Sequence, residues 1–322
     1  MTPQDKKGDL IMEHQMKQRA YKTLILTFLL WGSLYVVSRQ MLLHLPLFLL
    51  AFCRFLTAYL FLLLISVLRP RTGSGSAGSA VSEADIRRLT HRYSLLLGIP
   101  GYTVFVGLQL IGTAYAGPTT ASLINALNPV TITLMAAFLL SEPLTKTKAA
   151  GILLAVCGAC MIIGTSGSFH PAGVLCSAAS VLGWSFVSVL LRKGLAVCDP
   201  LIVTKNALGL AAVCSLILAA AEWVFSGGST DIALTPPVIA GILYMGICST
   251  GIAYVLWNKS LAVLPAGTCS AFYPLQPLTS ALLGVIFLKE TLPKLFFPGT
   301  LLILIGILLC LFPLHPTEKK TL

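Results

Sequence analysis

Ten apolar runs, each close to twenty residues long and set apart by short polar breaks, take up most of the chain. A helix of about 20 apolar residues is what crosses the hydrocarbon core of a bilayer. The runs cover about 22–42, 47–68, 94–114, 118–140 and 147–165, then 172–191, 201–222, 236–257, 265–288 and 295–312. Of the 322 residues 56% are hydrophobic and 10% charged, against roughly 25% charged in a soluble domain. A chain this poor in charge cannot cover a soluble surface, which excludes an ordinary soluble enzyme. The fold class expected is an all-α membrane protein.

The net charge of +11 is distributed as a topology signal rather than as a nucleic-acid stripe. With the N-terminus inside, every Lys and Arg of the 22 falls on cytoplasmic segments except Arg39, Arg54, Lys289 and Lys294. An even number of spans returns the chain to its starting side, so both termini are expected in the cytoplasm of a multi-pass cell-membrane protein, of the bacterial inner-membrane kind. Residues 1–21 read as a basic N-terminal tail without a cleavage site, and 314–322 as a C-terminal tail. The stretch 69–92, containing Gly-Ser-Gly-Ser-Ala-Gly-Ser-Ala, reads as a flexible loop. Nine cysteines lie almost all within apolar runs and read as small hydrophobes; the Cys157/Cys160 pair has no second pair or nearby histidine, and no metal or cofactor site is expected.

The chain repeats itself. A shift of 148 pairs Thr120 with Thr268, Ser122 with Ser270, Pro129 with Pro277, Glu142 with Glu290, Leu144 with Leu292, Gly151 with Gly299 and Gly158 with Gly306; a shift of 153 pairs Trp31 with Trp184 and Arg39 with Arg192. Five runs in each half mean that the second copy enters the membrane from the opposite side. The expectation is ten transmembrane helices as two inverted-topology five-helix repeats, 22–166 and 172–313.

Polar side chains within spans mark a bundle interior or a water cavity. Asn125, Asn128 and Pro129 in the fourth run correspond to Tyr273, Gln276 and Pro277 in the ninth, and each proline is expected to kink a helix at mid-span. Such sites either contact substrate or only tie helices together. The aromatic residues Trp31, Trp184, Tyr102, Tyr254 and Tyr273 either line a cavity, where rings receive apolar groups or an ammonium, or simply pack. Trp257, at the end of a run beside Lys259, reads as an interface anchor, and Lys205 and Glu222 as reaching water from opposite ends of one span. Arg54 either bonds a substrate carboxylate or snorkels outward. Glu142 and Glu290, at turns, read as caps of helix amides, with gating or ion coupling as the alternative. The glycine pairs flatten a helix face for close packing. No Asp or Glu stands at mid-span, which favours exchange or facilitated diffusion over coupling through a buried carboxylate.

The duplicated Glu-x-Leu, six residues, Gly, six residues, Gly at Glu142–Gly158 and Glu290–Gly306 resembles the EamA-type members of the drug/metabolite transporter superfamily. So do Trp31-Gly32-Ser33, Arg54-Phe55 and Asn128-Pro129. The second half departs from the first in having Gln276 before Pro277, and Lys205 and Asn206 near the place of Arg54. The resemblance implies a non-enzymatic ten-helix carrier of small metabolites, often amino acids or related compounds, that exports or exchanges them by alternating access as a monomer or homodimer. The superfamily also contains sugar-nucleotide, phosphate-ester and drug carriers, so a lipid or nucleotide-sugar carrier is the alternative, and a non-transporting membrane protein a more distant one.

Overall fold

Helices account for nearly all of the described chain. The structure is a computed structural model describing residues 3–69, 82–163, 170–226, 232, 234–289 and 294–311. The helices are α1 (Pro3–Met41), α2 (Leu47–Leu68), α3 (Glu83–Leu96), α4 (Val106–Asn125), α5 (Asn128–Leu140), α6 (Lys146–Ile163), α7 (Pro171–Leu195), α8 (Pro200–Phe225), α9 (Pro236–Tyr244), α10 (Ala253–Val263), α11 (Ala266–Ser270), α12 (Leu275–Leu288) and α13 (Phe296–Leu311). Two wider π-helical stretches, Leu97–Phe105 and Met245–Ile252, join α3 to α4 and α9 to α10.

Seven helical stretches among the described residues are long and apolar enough to span a membrane: Met12–Ser38, Leu47–Leu68, Glu83–Gly112, Pro171–Leu195, Pro200–Phe225, Pro236–Val263 and Ala266–Phe287. The fourth, fifth and tenth expected spans correspond to the shorter helices α5, α6 and α13, of 13, 18 and 16 residues. The start of the fourth is cut away from α5 by a turn at Ala126 and Leu127.

The structure corrects the expectations of a loop over all of 69–92 and of proline kinks, and adds detail to the N-terminal tail and to the 115–117 division. The N-terminal tail is helical from Pro3 and continuous with the first span; Glu13 with Lys17, and His14 with Gln18, pair one turn apart. The expected loop 69–92 is helical from Glu83, because Ser82 caps the helix by accepting from the Ala84 amide while Glu83 and Asp85 sit at its positive end; residues 70–81 lie outside the described residues. The division of the third and fourth runs at 115–117 leaves no gap in α4. Between Ala116 and Thr131 the chain nevertheless doubles back: Ala116 packs on Gly173, whereas Thr131 bonds Ser185, twelve positions further along α7. Finally, Pro129 and Pro277 do not kink continuous helices. Each stands in the first turn of the helix after an interruption, where a missing amide leaves no gap in the ladder.

The repeat is visible in the geometry. Helices α2 and α8 start 153 positions apart and the two π stretches 148 apart. Ser141 and Lys289, also 148 apart, are the two non-glycine residues with positive φ among the described residues, 54° and 55°, each ending a helix in the left-handed conformation. Helices α6 and α13 cross at their glycines. A Cβ on Gly151 would stand 2.6 Å from the Gly306 carbonyl, and one on Gly158 closer still to that of Gly299. Backbones in that contact leave no room for a side chain, so Gly158→Leu or Gly306→Leu is expected to cost at least about 1–3 kcal/mol by overpacking. The folded, monodisperse yield should fall severalfold; undiminished yield would show that this face meets lipid instead.

Candidate functional site

Span one carries three consecutive residues with three separate tasks. Trp31 faces the bundle interior, Gly32 lies so close to α12 that a Cβ would be 2.9 Å from the Gln276 carbonyl, and Ser33 shares a 2.6 Å hydrogen bond with the Tyr244 hydroxyl. Close approach here sets the Trp31 ring beside the start of α12.

The two interrupted spans face each other across the same space. In the first, the Asn128 side-chain amide donates to the Asn125 carbonyl at 2.9 Å and to the Asn125 side-chain oxygen at 3.2 Å, satisfying the backbone opened by the turn. In the second, the Gln276 backbone amide donates to the Tyr273 carbonyl at 2.9 Å. The carbonyls of Asn125 and Tyr273, four residues before each proline, are thus occupied. What remains unpartnered is the buried Asn128 Oδ1. An orphaned buried acceptor is costly unless something else reaches it.

A cavity of about 160 Å³ lies between these elements. Trp31, Arg54, Asn125, Asn128, Trp184, Tyr254, Tyr273 and Gln276 all line it, brought together from six of the expected spans. It extends past Ser38 to Leu42 and Leu47, on either side of the first connection, and so lies toward the end of the bundle opposite the N-terminus. Tyr102 is the exception among the expected residues: it is buried behind the wall, stacked on Tyr254 with ring centroids 4.3 Å apart. Trp257 is not an interface anchor. It is 1% exposed and packs against Phe28, Trp31 and Tyr273, because its position turns it inward from a span that continues to Val263. Ser38, Gln109 and Ser180 line the cavity without having been singled out; Gln109, an amide inside an apolar run, was the readable signal.

The rings form one connected cluster. Trp31 meets Tyr254 at 5.5 Å and Tyr273 at 6.1 Å, Trp184 meets Tyr254 at 6.1 Å, and the Trp184 indole donates to the Tyr273 hydroxyl. Edge and tilted arrangements of this kind are favoured between aromatic rings, and they give the cavity apolar walls.

Arg54 supplies the charge. It is 8% exposed; Nε donates to Thr250 Oγ1 at 2.8 Å and one terminal nitrogen to the Tyr254 hydroxyl at 3.2 Å. Both partners are neutral, and no carboxylate pairs with it among the described residues. Arg54 therefore does not snorkel to an interface. A buried guanidinium without a counter-ion is expensive, and this one borders a cavity able to admit an anion.

Carboxylates elsewhere cap helices. Glu142 accepts from the amides of Ala266 (2.8 Å) and Gly267 (3.2 Å), crossing to the other repeat to close the start of α11. Glu222, expected to reach water, is half-buried and accepts from the amides of Leu47 (3.1 Å) and Phe48 (2.8 Å) at the start of α2. At the other end of the α2–α8 pair, Asp199 caps Leu201 and is held by Arg69 at 2.7 Å. Glu290 lies outside the described residues.

Removing the Thr250 hydroxyl leaves the buried Arg54 Nε without its acceptor, a loss of about 1–3 kcal/mol. Thr250→Val should lower the Tm of the purified protein by a few degrees and Thr250→Ser should restore it; equal melting of all three would show that the contact carries no stability.

Comparison with known proteins identifies the family. The family model described as the EamA-like transporter family matches twice, at residues 18–164 and 171–312. The uncharacterized transporter YetK of Bacillus subtilis (strain 168) is 27% identical over 314 residues, 94% of this chain and 89% of that one. The uncharacterized transporter YvbV of the same organism is 25% identical over 300 residues, 92% of this chain and 93% of that one. A solved protein crystal structure superposes with a TM-score of 0.72 at 22% identity, covering 90% of this chain and 95% of its own, which supports the fold. With both halves matched, the chain belongs to the EamA-like transporter family: it is a multi-pass membrane transporter rather than an enzyme.

Proposed function

We propose that the protein carries small metabolites with a carboxylate and an amino group, amino acids or close relatives, by alternating access, and that it exports them. One observation carries this reading: Arg54, with neutral partners only, borders a cavity otherwise walled by Trp31, Trp184, Tyr254 and Tyr273. The guanidinium suits a carboxylate, aromatic faces suit an ammonium or an apolar side chain, and the Asn128 Oδ1 offers an acceptor. A single lining cation among the described residues, in a cavity of about 160 Å³, does not suit the diphosphate of a nucleotide sugar.

The wider arrangement in this reading is ten spans as two inverted five-helix repeats, 22–166 and 172–313, with both termini in the cytoplasm. Repeat-related contacts and the distribution of Lys and Arg support it. The cavity then faces outward. The export direction rests on the family resemblance.

Counterflow into proteoliposomes of a labelled panel of amino acids, purines, nucleotide sugars and cationic drugs tests the reading, with protein-free vesicles as control. Amino acids should accumulate. Arg54→Gln should reduce their uptake by tenfold or more, about 1.4 kcal/mol or above, and Asn128→Ala and Gln276→Ala severalfold, all with normal membrane insertion. Accumulation of nucleotide sugars instead, or indifference to all three substitutions, would overturn it.

A further inference from the structure

The repeat registers map the open cavity onto the closed end of the bundle. Contacts fix these registers independently of the motifs. A Cβ on Gly246 would stand 3.1 Å from the Arg54 carbonyl, and one on the repeat-related Gly98 would stand 2.8 Å from the carbonyl of Ala207, 153 positions after Arg54. Ala207, rather than Lys205 or Asn206, is thus the counterpart of Arg54.

Shifted by 153, the cavity residues Leu50 and Ala51 become Val203 and Thr204; shifted by 148, Gln109 and Leu110 become Trp257 and Asn258. These four counterparts are fully buried, between 0% and 1% exposed, on the side of the bundle that carries the N-terminus. Three of them carry polar groups. The Asn258 amide donates to Thr204 Oγ1 at 2.8 Å; its Oδ1 stands beside the Tyr102 hydroxyl, and the Trp257 indole N–H has no partner. Asn258 thus has a protein donor within reach, whereas packing alone does not explain the orphaned Trp257 donor, which costs free energy as it stands. Polar contacts across this end include Thr23 with Ser260 at 2.9 Å, Arg192 with the Ala262 carbonyl at 3.1 Å, and Glu142 on the α11 amides.

We infer that Thr204, Trp257 and Asn258 form a second, cryptic face of the substrate path, wetted and in contact with solute when the carrier opens toward its N-terminal side. The inference rests on the alternating-access reading. Asn258 Oδ1 accepts from an ammonium or amide of the solute and the Trp257 N–H donates to its carboxylate, so both faces read the same zwitterion. No guanidinium stands at Ala207; the charge at this end comes instead from other residues, Arg192 among them.

The test uses the full-length protein in proteoliposomes, with the native cysteines replaced and single cysteines placed at Leu50, Val203 or Leu191, the last being the counterpart of Ser38. The probe is a membrane-impermeant quaternary ammonium methanethiosulfonate added from either side. Leu50→Cys should label from the face opposite the N-terminus, and Val203→Cys and Leu191→Cys from the N-terminal face. Adding Asn258→Leu should slow labelling at Val203→Cys by about tenfold, because a wetted state loses the polar group that favours it, and leave Leu50→Cys labelled. Failure of both Val203→Cys and Leu191→Cys to label from the N-terminal face, in vesicles active in counterflow, would overturn the cryptic face while keeping the carrier. So would labelling at Val203→Cys that ignores Asn258→Leu. Two-sided labelling without counterflow of any panel member would keep the cryptic face and remove the proposed substrate class.

Discussion

A helix interrupted inside a bilayer leaves amides and carbonyls that water cannot reach, and each must find a partner within the protein. Much of the polar sequence here answers that requirement. The Asn128 side chain takes the carbonyl of Asn125 at one break, and Glu142 reaches from one repeat into the other to hold the first amides of α11. Glu222 does the same for α2. Because the caps belong to different elements from the helices they close, the relative placement of α2 and α8, and of α5 and α11, is tied to backbone satisfaction rather than to apolar packing alone.

Arg54 is the opposite case: its charge is anchored by hydrogen bonds but left uncompensated. The anchors come from one turn of the eighth span, Thr250 in the π-helical stretch and Tyr254 just after it. The wider winding there and at the repeat-related Leu97–Phe105 puts irregular helix directly beside the cavity wall, a setting in which π turns recur. The hydrogen bonds to Thr250 and Tyr254, with the Phe55 ring 5.1 Å from its centre, set the direction of the guanidinium.

Much of this was legible in the residues. The length of the apolar runs marked the helices, and eight of the nine candidate binding residues met in one cavity because polar and aromatic groups inside apolar runs have few other places to go. Tyr102 falls on the packing side of its two readings and Trp257 departs from its one for a common reason: a sequence tells how deep along a span a ring lies, but not which side of the helix it occupies after neighbouring helices have packed. The prolines were read as kinks because the interruptions before them depend on turns at Ala126–Leu127 and Ala271–Pro274 that carry no glycine. The helix at Glu83–Leu96 was hidden by the Gly/Ser stretch ahead of it, although Ser82, Glu83 and Asp85 together spell a helix start.

The two halves are related in backbone but unequal in charge, since Ala207 occupies the place of Arg54. For a solute that crosses passively, the cycle of binding at one face, turning, release at the other and return of the empty protein must sum to zero free energy at equilibrium. Any extra affinity that the guanidinium lends to one face is therefore matched by the return step: the empty protein favours the opposite face more than the loaded one does, by the same factor. A tenfold difference in affinity corresponds to about 1.4 kcal/mol of such bias. One arginine without a twin thus links the resting orientation of the protein to the side on which its solute is held more tightly.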